Sequence, residues 1–303
     1  MGSANSYGLA ALSALFWGAN FNLAGPVLAD MPPSQAAAAR FILATVIMVA
    51  VTITRREGMA MLGIARRHGL RLGLIGVVGI AGFNILFFDA MRTTSAINGS
   101  LVMATNPLLT ALLAAVMLGE RLPRRQVAAL PVAFLGVATV ILGGGSAEGF
   151  HAGWGDLEML AANLAWALYN VLARKLTPPG PQFANVTIVM GAGAAVLTLA
   201  ALIGGGPAAV PGPGAAAALL TMVVLGSVLA YLFWSIAITR LGAGRTALFL
   251  NLVPVFATVI ASLGGDSPNH GQLAGGAVVI AAVAYAMLPA RRPVGGCLKE
   301  ETT

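Results

Sequence analysis

The sequence is poor in charge, in cysteine and in histidine. Of its 303 residues, 9% are charged, one is cysteine and three are histidine. So little charge would leave a water-soluble fold of this length without enough polar surface to meet solvent. The lone Cys297 excludes an internal disulfide. His68, His151 and His270 fall in separate gaps between apolar runs, so no metal cluster can be built, and no cofactor is implied. H-E-x-x-H, paired aspartates and an activated Ser/His arrangement are all absent, which leaves an integral membrane enzyme acting on lipid-linked groups as a remote alternative. The net charge of +7 does not indicate nucleic acid, because the basic residues are spread over short loops rather than gathered on one face.

What the chain does have is hydrocarbon. It is 58% hydrophobic, with a mean hydropathy of +0.87. A bilayer core needs roughly 20 apolar residues per helix. Runs of that kind predict ten spans, at 7–29, 33–54, 70–91, 94–118, 125–143, 156–176, 183–204, 214–239, 243–263 and 271–290. They are rich in Ala and Leu and lack period-two alternation, so helices are expected rather than barrel strands. The gaps carry turn formers such as Met31-Pro32-Pro33 and Pro178-Pro179-Gly180-Pro181, and none is long enough for a separate soluble domain.

Charge orients these spans. Arg55, Arg56, Arg66, Arg67 and Arg71 follow span two, and Arg121, Arg124 and Arg125 follow span four. Arg174 and Lys175 follow span six, Arg240 and Arg245 span eight, and Arg291, Arg292 and Lys299 span ten. Every second gap is therefore basic, while Asp30, Glu148, Asp156 and Asp266 lie in or beside the others. The positive-inside rule then predicts a multi-pass membrane protein with both termini cytoplasmic. With no basic n-region, span one reads as a retained helix rather than a cleaved signal.

The chain also repeats. Shifted by 147, Gly79 falls on Gly226, Phe87 on Trp234, Ala90 on Ala237 and Pro107 on Pro254. After one deletion Gly119-Glu120 falls on Gly265-Asp266, and Gln126-Val127-Ala128 on Gln272-Leu273-Ala274. Leu15-Phe16-Trp17 aligns with Leu164-Ala165-Trp166. The repeat divides the chain into 1–148 and 149–303, each with five spans. Because five is odd, the second unit is predicted to enter the membrane from the opposite side. Such symmetry suits alternating access to a central cavity.

Ten spans in two five-helix repeats resemble the drug/metabolite transporter superfamily, specifically its EamA branch. The residues that carry the likeness are Leu15-Phe16-Trp17-Gly18-Ala19-Asn20-Phe21, Asn106-Pro107, Leu118-Gly119-Glu120-Arg121-Leu122 and Trp166-Ala167-Leu168-Tyr169-Asn170. The resemblance implies an exporter of amino acids, aromatic or otherwise apolar, with other small neutral or zwitterionic metabolites or drugs as the alternative. Its partners would be that solute and the lipid bilayer, with no obligate protein partner evident.

A solute path needs polar atoms at membrane depth. Trp17 and Asn20 share a helical stripe in span one, as do Asn163, Trp166 and Asn170 in span six. Span three offers Asn84, Phe87 and Phe88, span eight Tyr231 and Trp234, and span nine Asn251. Aromatic faces beside amide groups suit a flat solute with an amino acid head group. Each Asn could equally bond a neighbouring helix. Pro107 and Pro254 are candidate hinges. Gly73, Gly76, Gly79 and Gly82 form a smooth strip in span three. Asp89 and Arg92 are candidates for an outer gate or an ion pair. Arg40 is expected near the outer surface, so the chamber itself is expected to be uncharged. With no carboxylate at mid-depth, facilitated transport is preferred over proton coupling.

Overall fold

The computed structural model describes residues 3–119, 124–143, 153–241 and 248–287. Glu120, Arg121, Glu148, His151, Arg245, Arg291, Arg292, Cys297 and Lys299 lie outside the described residues. Among the described residues there is no strand. The helices are α1 (Ser3–Asp30), α2 (Pro33–Thr54), α3 (Gly58–Ala90), α4 (Ala96–Leu118), α5 (Arg124–Gly143), α6 (Trp154–Leu176), α7 (Gln182–Ile203), α8 (213–241), α9 (248–263) and α10 (His270–Met287). Five of these stretches, α2, α3, α4, α7 and Pro213–Trp234 of α8, are long and apolar enough to cross a bilayer by length and composition.

Burial is inverted relative to a soluble protein. Val46, Val116, Leu135, Leu202 and Ile203 are exposed, while Asn84, Asn106, Asn163, Arg40 and Ser227 are buried. In water such an apolar exterior would be an aggregation surface. Against lipid tails it costs nothing, and the polar groups must find partners inside.

α3 departs most from expectation, beginning at Gly58 rather than residue 70. The added turns hold Arg66, Arg67 and His68, with Met59 and Leu62 exposed. Polarity there ends the membrane run but not the helix, since no proline or cap intervenes.

Four helices lose regularity at positions that correspond under the 147-residue shift. α3 turns to π-helix over Val77–Gly82, and α8 does so over Met222–Leu229. α4 breaks at Ala104 and Thr105, and α9 opens with a 3₁₀ turn, Leu248–Asn251. Pro107 and Pro254 therefore do not kink continuous helices. Each lies in the first turn of a new helical segment, Asn106–Leu118 and Leu252–Leu263, where a missing N–H leaves no bond unmade.

Close crossings rest on glycine. A Cβ on Gly76 would stand 2.3 Å from the Val189 carbonyl oxygen of α7, and one on Gly275 of α10 would stand 2.6 Å from the Gly136 carbonyl oxygen of α5. Of the α3 strip, Gly76 and Gly79 are closely packed, whereas Gly73 has nothing within 4 Å. The drift of 3.6 residues per turn carries a three-residue stripe off the contact face. α1 packs against α8 and α9, and α6 packs against α3 and α4.

Candidate functional site

The irregular stretches converge on one cavity. α3 contributes Phe83, Asn84 and Phe87, just beyond its π segment, and Tyr231 lies just beyond the π segment of α8. The α4 break presents Met103 and Asn106, and the start of α9 presents Leu250 and Val253. Trp17, Asn20 and Phe21 of α1, Arg40 and Phe41 of α2 and Trp166 of α6 complete the wall. Interrupted helices at this depth are tolerated where they line a cavity and their backbone groups find partners.

Aromatic rings dominate the wall. Trp17, Trp166 and Tyr231 form a triangle of edge-to-face contacts, with centroids 6.1, 5.8 and 6.0 Å apart. Phe83 lies 5.2 Å from Trp166 and 5.6 Å from Phe87. The Trp17 indole N–H donates to the Gly226 carbonyl at 3.0 Å, which fixes that ring to the π segment of α8.

The polar residues divide by role. Asn163 is fully buried and spent on α4. Its amide donates to the Val102 carbonyl (2.9 Å) and to Thr105 Oγ1 (2.8 Å), and its own oxygen accepts from Asn106 (2.8 Å). Asn170 donates to Asn106 Oδ1 at 3.1 Å. These two hold the helix break in place rather than facing the cavity. Asn20 lines the cavity, and its Oδ1 is buried without a hydrogen-bond partner. Asn251 Oδ1 is likewise unpartnered, beside Leu250 of the wall.

Thus Trp17, Asn20, Asn84, Phe87, Trp166 and Tyr231 meet at one cavity. Phe88 and Trp234 stand behind it, packed on Phe87 (5.4 Å) and Trp17 (5.0 Å). Asp89 and Arg92 pair with each other at 3.2 Å in exposed positions. At the same end, Asp156 caps α6 by accepting from the Gly153 N–H (3.3 Å) and also accepts from Thr94. Asn98 of α4 donates to Asp156 (3.5 Å) and accepts from Gln272 of α10 (2.8 Å), so four segments are tied together there.

Arg40 corrects the expectation of an uncharged chamber. It is 4% exposed and lines the cavity. It sits seven residues past Pro33, about two turns below the helix start, deeper than a surface anchor. The signal was available: an arginine inside an apolar span is a functional candidate by default. Phe21, Phe41, Phe83, Met103, Leu250 and Val253 were also missed, since hydropathy does not separate wall from core, and Asn106 was read only as part of its motif with Pro107.

The description "EamA-like transporter family" matches residues 5–142 and 153–288. An uncharacterized transporter, YyaM, of Bacillus subtilis (strain 168) is 36% identical, covering 89% of each chain. A probable terminal-alkyne amino-acid exporter of Streptantibioticus cattleyicolor is 31% identical over 74% of each chain. The aromatic amino acid exporter YddG of Ancylobacter novellus is 27% identical, covering 96% of this chain and all of that one.

Proposed function

The chain belongs to the EamA-like transporter family, and from that premise we propose that it exports amino acids, aromatic or otherwise apolar, across a bacterial inner membrane by alternating access. It is a membrane transporter of small molecules and not an enzyme. The observation that carries the substrate class is the wall of the cavity. Trp17, Trp166 and Tyr231 offer ring faces and edges at centroid distances near 6 Å, beside the polar Asn20 and Asn84. A flat apolar side chain gains from such rings, and the amide groups suit a head group. The names of the Streptantibioticus and Ancylobacter relatives agree with this class.

The mechanism follows from pseudo-symmetry. Ten spanning helices form two five-helix units inserted in opposite senses, with both termini cytoplasmic. Support comes from the paired π segments, the paired helix breaks and the reciprocal packing of α1 and α6. Two like units that exchange conformations open one central cavity to each side in turn.

Counterflow tests the proposal. Liposomes holding the purified protein and unlabelled tryptophan or phenylalanine should accumulate the labelled amino acid transiently, and protein-free liposomes should not. Trp166→Ala and Tyr231→Ala should slow uptake at low substrate. Absence of amino acid flux, or wild-type flux in both variants, would overturn the reading.

A further inference from the structure

Arg40 is a buried cation with no anion beside it among the described residues. Its Nε donates to Ser227 Oγ at 2.9 Å and its Nη1 to Asn84 Oδ1 at 3.4 Å, and its guanidinium carbon lies 5.2 Å from the Phe41 ring centroid. All three neighbours are neutral. Among the described residues the acids are engaged or placed elsewhere. Asp30 accepts from the Gly212 N–H, Glu57 pairs with Arg55, Asp89 with Arg92, and Asp156 holds Thr94 and Asn98. Glu158 lies beside Asp89, and Asp266 is exposed.

A desolvated charge with no counter-ion is costly, and proteins keep one where something else supplies the opposite charge. Guanidinium carries five N–H donors in a rigid planar fork. Two are taken by Ser227 and Asn84, which hold the plane in a fixed attitude, and the remaining donors belong to a residue on the cavity wall. Ser227 lies within the π segment of α8, and Asn84 lies two residues past the π segment of α3. The two matched irregularities thus grip the guanidinium from both halves of the chain.

We infer that Arg40 is the anion receptor of the cavity and binds the carboxylate of the transported solute; this rests on the transport reading above and deepens it. The solute is a monocarboxylate whose apolar body lies against Trp166, Tyr231 and Phe83. A phosphate monoester is disfavoured because its second charge would find no cation in an otherwise neutral, aromatic wall. Ser227, which lies outside the cavity lining, is a positioning residue that aims the fork, and Asn84 aims it from the cavity wall.

The test compares solutes that differ at the carboxylate, beginning with the wild-type protein. Counterflow of labelled tryptophan into liposomes is challenged with unlabelled tryptophan, indole-3-propionate, tryptophanamide and tryptamine. Indole-3-propionate keeps the carboxylate and should compete within a few-fold of tryptophan. The amide and the amine lack it and should compete about tenfold more weakly or worse, the loss expected for a missing charged hydrogen bond. In Arg40→Gln the preference for acid over amide should collapse, and Arg40→Lys should keep part of it. Equal competition by amide and acid in the wild type would overturn the assignment while leaving tryptophan transport intact. No tryptophan flux at all would remove the transport reading and this assignment with it.

Discussion

Trp17 and Trp166 stand edge to face, 6.1 Å between ring centroids and 75° between planes, where α1 and α6 meet at the cavity. They occupy aligned positions in the two halves of the sequence, yet their surroundings differ. Trp17 is tethered through its indole N–H to Gly226, while Trp166 packs in the core against the rings of Trp17, Phe83, Tyr169 and Tyr231. One is a fixed post and the other a packing surface, so their substitutions should differ.

Trp166→Ala should raise KM for an aromatic solute about tenfold, because it removes ring contacts worth ~0.5–1.5 kcal/mol each, and Trp166→Phe should fall between. Trp17→Phe keeps a ring but leaves the Gly226 carbonyl without its donor, a loss of about 1 kcal/mol. Its melting temperature in detergent should drop while KM stays within about twofold. A concentration series of counterflow rates beside thermal unfolding separates the two effects. Identical KM shifts in Trp166→Ala and Trp17→Phe would contradict the division.

The aligned glycines of the π segments should tolerate no side chain. A Cβ on Gly79 would lie 2.0 Å from the Tyr169 ring and 2.7 Å from its Cβ, and one on Gly226 would lie 2.3 Å from the Asn20 amide. Gly79→Ala and Gly226→Ala should each destabilise the protein by about 1–3 kcal/mol, the usual cost of overpacking. Shortening the obstacle should absorb part of this, so Gly79→Ala should lower the melting temperature less in a Tyr169→Ala background than in the wild type. Thermal unfolding of the wild type, the two single variants and the double variant checks it, and a wild-type melting point in Gly79→Ala would show that α6 gives way freely.

Much of the helical layout was legible because hydropathy and turn chemistry act locally. Pro33 opens α2 and Gly204 ends α7 where the apolar runs begin and end. The roles of polar residues were less legible, because they depend on which helix stands opposite. Asn163 and Asn20 look alike in sequence, each one turn from a tryptophan on its stripe. Asn163 meets the α4 break, with three groups to satisfy, whereas Asn20 meets Gly226, which offers no side chain. Arg40 was misjudged for the same reason. Its depth along α2 could be counted, but the Ser227 and Asn84 acceptors that make burial bearable come from other helices.

Asn163 gives a third prediction. Asn163→Leu would remove three hydrogen bonds, those with the Val102 carbonyl, Thr105 Oγ1 and the Asn106 amide, at about 0.5–1.5 kcal/mol each. None of the three groups is stranded, because Thr105 still donates to Val102 and Asn106 still donates to the backbone carbonyl of residue 163. The break in α4 should then loosen, lowering the melting temperature and the maximal transport rate more than it alters KM. Asn170→Leu loses a single strong contact, to Asn106, and should show a smaller version of the same effect. A KM change with unaltered stability would instead put Asn163 in contact with solute.

Orientation gives the last prediction, and it bears on the symmetry itself. Met59 follows the second helix of the first unit, and Val210 follows the second helix of the other; both are exposed, at 82% and 89%. Were the two units inserted alike, these equivalent positions would face the same compartment. Opposite insertion puts five crossings between them and sends them to opposite sides. The stretch that follows α2 and runs into the first turns of α3 carries Arg55, Arg56, Arg66 and Arg67, whereas residues 204–212 carry no charge, so Met59 belongs inside and Val210 outside. With Cys297→Ser as background, Val210→Cys should react with an impermeant maleimide on intact cells. Met59→Cys should react only after permeabilisation or in inverted vesicles. Labelling of both from the same side would contradict opposite insertion, and with it the exchange of two like units on which alternating access depends.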